Sequence, residues 1–396
     1  MPTNEVPELA DGTTKVPLRL PRDRRGPFIW MLVLSIVLTL GLIAVGWLLV
    51  NWRLDAVVMA IPALVPLTLV LVAVHYLDRW EPEPPILLLL CFAYGAGASI
   101  LGTLTVGNFL LEVTDTYARD SVGLAAWSIL LQGPFVEELV KGIGVAVLLI
   151  IAWREVNGPL DGFVYAAVIG AGFAFTENIV YFASSGSTGL EFVWLLVVRG
   201  ILSPFAHVMF TGVIGLALGW AAQQRKPLQF ALAGVLGLIM AVGLHAFWNG
   251  ASIYLLPLIG VDAQNPFAWI ISYGVFQLPL FLAFGWLLMQ LQHRDRQIIR
   301  NRLDEYRRAG WFTTAEVEMI TNWQLRRKAI RWAREQSPEQ GKAMKNFVED
   351  ATRLAFAREH ASIDKRDPHR RAIEKSLLAV TRRDRKDLQD MVRSKA

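Results

Sequence analysis

Eight apolar runs, each longer than twenty residues, constrain this chain more than any other feature. They cover 28–51, 56–77, 85–111, 122–152, 161–183, 190–222, 228–257 and 266–291. Crossing a hydrocarbon core of ~30 Å takes about 20 helical residues. Lipid offers the backbone no hydrogen-bond partner, so each crossing must satisfy its own amides as a helix. The expected fold is therefore all-α, a polytopic transmembrane helical bundle of about eight spans. Only 18% of the residues are charged, where a soluble domain carries about a quarter, which excludes a soluble enzyme. The fourth and sixth runs are longer than one crossing needs. Each contains a proline, Pro134 or Pro204, predicting a kink or a short re-entrant start.

Charge divides the chain into three parts: an N-terminal arm at 1–27, the membrane body at 28–292 and a tail at 293–396. The tail carries 26 of the 39 Lys and Arg but 16 of the 34 Asp and Glu, a net of about +10. Basic residues of short loops set orientation. Lys15, Arg19, Arg22, Arg24 and Arg25 lie before the first run, and Arg79, Arg154, Arg225 and Lys226 fall in loops on the same side. The opposite loops hold Arg53 and Arg119. Both termini are expected in the cytoplasm. The first run lacks a small-residue cleavage pattern and reads as a retained span. Cys91, the single cysteine, sits in "ILLLLCFAYG" and reads as core packing. The tail is expected to be helical, with a start at Thr313/Thr314, Glu316 in the first turn, and an apolar stripe of Ile320, Trp323, Leu325, Ala329 and Trp332. It reads as a solvated helical appendage, with anionic lipid or an unknown partner as the alternatives. The bilayer is the expected environment of the body, and no nucleic-acid partner is expected.

Charges inside a bilayer cost at least ~2.5–3.5 kcal/mol each, so those found there need a reason. Four runs carry them: Glu137, Glu138 and Lys141; Glu177 with Asn178; His207; and His245 with Asn249. Counted from the cytoplasmic ends of their runs at ~1.5 Å per residue, Glu137, Glu177, His207 and His245 lie about 22, 24, 22 and 26 Å deep. Four antiparallel helices thus place two acids and two imidazoles in one layer, toward the extracytoplasmic half. Glu137 and Lys141 are spaced i,i+4 and expected to pair, leaving Glu138 free as the general base. Arg199, Ser203, His207 and Thr211 repeat every four residues as a polar stripe. Ala166, Gly170 and Ala174 form a small-residue face that permits close helix approach.

Two histidines and a carboxylate suit Zn²⁺ with an open position for water, which makes His207, His245 and Glu177 the candidate ligands. A second carboxylate then acts as general base. In a metal-free version a buried Glu activates water and a His or Asn steadies the oxyanion. Either version hydrolyses an amide bond within the membrane. The competing reading is a non-enzymatic scaffold or a proton or cation pathway, which needs polar groups continuous from face to face.

"FVEELVKG" (135–142), "GAGFAFTEN" (170–178), "SPFAHVMFTG" (203–212), "HAFWN" (245–249) and the loop "LDRWEPEP" (77–84) resemble the PrsW family of bacterial intramembrane proteases, related to the type II CAAX proteases or Abi group. The resemblance covers roughly 75–250. It implies a catalytic double glutamate at Glu137 and Glu138 followed by Lys141, with Glu177 and Asn178, His207, and His245 and Asn249 as the later motifs. It also implies a multi-pass protein of the bacterial cell membrane that cuts a membrane-associated protein, with site-1 cleavage of anti-sigma factors in some members.

Overall fold

The structure, a computed structural model, describes residues 26–117, 123, 126–153, 156–185, 189–224, 226–262, 265, 267–363 and 367–393. The basic residues of the arm, Arg119, Arg154, Arg225 and the start of the fourth run lie outside the described residues. Every regular element among the described residues is helical. Six helices are long and apolar enough to cross a membrane. Six rather than eight has two physical causes. The first two runs are limbs of one helix, α1 (Gly26–Leu77), broken at Arg53, whose φ of 47° is left-handed. The fourth run becomes α4 (Gly133–Ile151), whose Glu137, Glu138 and Lys141 make it too charged to count by composition.

Between these lie α2 (Pro85–Ala93) and α3 (Ile100–Tyr117), joined through a π-helical segment at Tyr94–Ser99. After α4 come α5 (Pro159–Ser184), α6 (Gly189–Val197), α7 (Ala206–Gln224), α8 (Pro227–Gly250), α9 (Ala268–Ser272) and α10 (Leu278–Arg308). Proline opens α2, α5 and α8, where its missing N–H costs nothing and its fixed φ already suits a helix. Pro134 differs, because a π-helical segment at Ser128–Gln132 runs directly into α4, and the helical hydrogen bonding is irregular just ahead of the proline. Around Pro204 the sixth run does break, with a π-helical segment at Val198–Leu202 before α7 begins at Ala206.

Helix α5 is the axis of the body, with every residue from Gly162 to Phe173 buried. It meets α7 through glycines, because a Cβ on Gly162 would collide with the Gly215 carbonyl and the Gly219 backbone. A Cβ on Gly170 would sit 2.8 Å from the His207 carbonyl oxygen, so this glycine sets how closely α7 approaches where its histidine emerges. Cys91 is buried, as expected.

The "LDRWEPEP" loop is a clasp. Asp78 Oδ2 accepts the Glu83 N–H at 3.0 Å, the Tyr165 hydroxyl donates to Glu83, and Asn157 Nδ2 donates to Glu81 at 2.8 Å. Burial pushes the Asp78 carboxyl up to about 8. Burial first, and then the nearby Asp161 carboxylate, hold Glu83 above the usual range.

The chain divides into two compact units at Gln290/Leu291, where the charge pattern had suggested 292/293. In the second unit α11 (Thr314–Thr321) starts on a capping box between Thr313 and Glu316. Asn322 then caps α12 (Trp323–Gln336), and α13 (Pro338–Ile363) and α14 (Pro368–Arg393) follow. Leu303, Tyr306, Ile320, Ala333, Val348 and Leu354 are buried there, and the Tyr306 hydroxyl donates to Glu374 at 2.6 Å. The expected apolar stripe is not one stripe. The chain leaves the helix at Asn322, so Ile320 is buried on α11 while Leu325 and Trp332 are exposed on α12. Arg326 and Ala333 take the buried positions instead.

Candidate active site

Four helices deliver the polar groups to one place. On α4, Glu138 and Lys141 are fully buried, whereas Glu137 is partly exposed. Lys141 Nζ donates to Glu138 Oε1 at 2.5 Å and stands 3.6 Å from Glu137 Oε2. The expected Glu137–Lys141 pair is therefore present, but the closer partner of the ammonium is Glu138, so Glu138 is not left free. Both i,i+3 and i,i+4 neighbours lie within reach of a lysine. Glu138 faces the protein and takes the ammonium, while Glu137 faces a cavity. Glu138 is further held by the Thr211 hydroxyl, which donates to Oε2 at 3.0 Å, and by His245 Nδ1, 3.1 Å from Oε1. Its acceptor capacity is well used. Glu137 Oε2 is buried and has no hydrogen-bond partner.

His207 sits between two charges, with Nδ1 3.2 Å from Lys141 Nζ and Nε2 2.8 Å from Glu177 Oε2. An ammonium can only donate, so Nδ1 accepts and Nε2–H donates to Glu177, which fixes the tautomer. Arg199, in the π-helical segment before α7, donates to Glu177 and, through Nε, to Asn178 Oδ1 at 2.7 Å. Asn249 Nδ2 donates to the Ile129 carbonyl at 3.1 Å, tying α8 to the segment that precedes α4. The rings of His245 and Phe210 stack with centroids 4.6 Å apart.

A cavity of about 120 Å³ opens onto this cluster. Glu137, Glu177, Asn178, Arg199, His207, His245 and Asn249 supply its polar wall, and Pro66, Val70, Tyr181 and Trp248 are among its other lining residues. One water needs only ~10–15 Å³ by such a measure, so several fit beside the carboxylate.

All eight expected site residues thus lie in or beside one cluster. The donors that converge within 4.8 Å of one another are those of Glu137, Glu138, His207 and His245. Glu177, expected as a ligand, is not among them; its Oε2 meets Arg199 and His207 Nε2 instead. The set offers two imidazoles and two carboxylates, and three carboxylates against two cations leave the site one negative charge in excess. Lys141 Nζ takes up two of these four donors, Glu138 Oε1 at 2.5 Å and His207 Nδ1 at 3.2 Å, so the set fits a divalent cation with the ammonium displaced. Arg199 and Thr211 were visible beforehand only as members of the four-residue polar stripe, which the structure turns into two separate contacts.

A sequence profile of the PrsW family intramembrane metalloproteases matches residues 83–284, a little over half of the chain. A "Protease PrsW" of Clostridioides difficile (strain 630) is 28% identical over 191 residues, 47% of this chain and 76% of its own length. The same-named protein of Geobacillus kaustophilus (strain HTA426) is 29% identical over 155 residues, 39% and 63% of the two chains. That of Oceanobacillus iheyensis is 28% identical over 183 residues, 46% and 77%. No solved structure matches significantly. The matched stretch contains every residue of the cluster and stops before the tail. The chain therefore belongs to the PrsW family of intramembrane metalloproteases and is an intramembrane peptidase.

Proposed function

We propose that this protein hydrolyses a peptide bond of a membrane-associated protein, with Glu137 as the group that activates water. The buried Oε2 of Glu137 on the cavity wall, without a hydrogen bond and 3.6 Å from Lys141 Nζ, carries this reading. Glu138, which the sequence favoured as base, is better suited to holding Lys141 and His245 in position. In the reaction Glu137 takes a proton from water as its oxygen attacks the scissile carbonyl carbon. The C–N bond then breaks, and the proton goes to the departing amine nitrogen. His245, on the cavity wall and held by Glu138, supplies a donor toward the developing oxyanion. Arg199 holds Glu177, and Glu177 holds His207, so the imidazole keeps one tautomer and one orientation.

With Lys141 displaced from Glu138 and His207, the residues Glu137, Glu138, His207 and His245 would hold a divalent metal such as Zn²⁺. When bound, it would polarise the carbonyl and ease deprotonation of water. A conducting pathway is disfavoured, because α5 between Tyr165 and Thr176 carries no charged side chain. We further propose a bacterial cell membrane setting with both termini cytoplasmic, from the bias of basic loops, and an anti-sigma-factor-like substrate, from the family resemblance.

The test is cleavage of a membrane-anchored substrate by the purified, reconstituted protein in ¹⁸O-water. One ¹⁸O is expected in the new C-terminal carboxyl, with the signal lost in His207→Ala and His245→Ala. Undiminished cleavage by both variants contradicts the reading.

A further inference from the structure

Helix α12 presents an exposed face that the peptidase reaction does not use. Arg327, Lys328, Arg331 and Arg334 are exposed on it, and at ~100° per residue they share one side of the helix. Leu325 and Trp332, 37% and 47% exposed, border that arc on one edge. The opposite side, with Arg326 and Ala333, is buried. At the Arg334 edge of the arc α12 packs so closely on α13 that a Cβ on Gly341 would meet the Arg334 backbone at 2.9 Å.

Among the described residues, none of these four basic side chains forms an ion pair. Several other basic groups of the unit are neutralised: Arg302 by Glu359 at 2.6 Å, Arg307 by Asp304 at 2.6 Å, Arg358 by Glu305 at 2.9 Å, and Arg385 by Glu316 at 2.6 Å. The four residues on α12 instead form an arc of exposed positive charge, and Glu335, the one acidic residue of that helix, falls within it and leaves a net charge of about +3. From this we infer that the exposed face of α12 docks on an anionic lipid surface. Two further observations favour lipid over an acidic protein or nucleic acid. An exposed Trp beside Lys and Arg is the arrangement that settles at a headgroup boundary, where its ring has an apolar side and a wet side. The chain also reaches this unit from the candidate membrane span Ala268–Arg308, which runs through α9 and α10, so a bilayer is always at high effective concentration. Each basic group near an anionic surface is worth about fivefold in partitioning, so four acting together hold a tethered helix firmly.

The experiment uses the full chain in nanodiscs of zwitterionic lipid or of zwitterionic lipid with added phosphatidylglycerol. In a Cys91→Ser background, Gln324→Cys on the exposed arc carries a polarity-sensitive fluorophore, and hydrogen exchange is followed across 323–336. Anionic discs are expected to shift the probe emission to the blue, to let lipid-borne quenchers reach it, and to slow exchange at least tenfold relative to zwitterionic discs. High salt should reverse all three effects. Arg327→Glu/Lys328→Glu/Arg331→Glu should abolish them with the helix content intact. Trp332→Ala, a milder change, should reduce the quenching while leaving the salt dependence. Equal emission and exchange in the two kinds of disc overturn the inference. So does protection by a soluble polyanion such as heparin that is indifferent to lipid, which would assign the face to a protein or nucleic acid.

Discussion

Replacing Lys141 with Met removes the ammonium that Glu138 Oε1 receives at 2.5 Å, in a place where both side chains are wholly shielded from solvent. Glu138 keeps only the Thr211 hydroxyl and His245 Nδ1. Breaking a buried ion pair from one side costs about 3–5 kcal/mol, because the remaining charge is left uncompensated. At ~2–4 °C per kcal/mol for a body of this size, the melting temperature should fall by roughly 6–20 °C. Glu138→Gln/Lys141→Met removes both charges while keeping shape and the Thr211 contact, so it should recover most of the loss. The molecule carries its own probe. Cys91 is the single cysteine and 1% exposed, so a thiol-reactive dye reports unfolding of the membrane body. The reasoning fails if Lys141→Met melts within about 2 °C of the wild type, or if the double variant is no more stable than the single one.

Three other outcomes follow from the geometry. Gly170→Ala puts a methyl group 2.8 Å from the His207 carbonyl oxygen and should shift the start of α7. A misplacement of ~1 Å can cost about 10²-fold, so cleavage assays should show a lower kcat even if the variant folds. Arg199→Gln frees Glu177 and should lower kcat more than it raises KM, with Arg199→Lys restoring only part because lysine cannot bridge Glu177 and Asn178 together. The clasp loop gives stability a pH dependence. With its folded pKa raised to about 8, Asp78 holds its proton where an unfolded carboxyl has released it. The folded state then binds more protons between about pH 4 and 8, so stability falls as pH rises through that window. Glu83 acts in the same direction. Melting of Asp78→Asn against pH should show a shallower decline.

The membrane body and the site differed in how far they could be read beforehand. Run length and apolarity specified helices, and depth counting brought Glu137, Glu177, His207 and His245 to one level because rise per residue is nearly constant in a helix. The same arithmetic had no means of seeing which way each side chain turns. Glu137 and Glu138 are neighbours about 100° apart on α4, so only the packing of α7 and α8 decides which of them faces protein and which faces the cavity. Arg199 was hidden for a related reason. It reaches Glu177 because the sixth run passes through a π-helical segment before Ala206, and a four-residue stripe assumes an unbroken helix. In the tail, Asn322 supplied the missed boundary. Asparagine is a strong N-cap, and its side chain accepts the Gln324 and Leu325 N–H groups, which turned one expected stripe into two short helices.

The central claim is that Glu137, facing the cavity, activates water while Glu138 holds the cluster together. The most direct measurement compares single-turnover cleavage of one membrane-anchored substrate by Glu137→Gln and Glu138→Gln, with Cys91 dye melting run on the same preparations. Glu137→Gln should melt like the wild type and lose about 10²–10⁴-fold in rate, the range for a general base, whereas Glu138→Gln should melt differently from the wild type. A Glu137→Gln enzyme that cleaves at the wild-type rate would contradict the account.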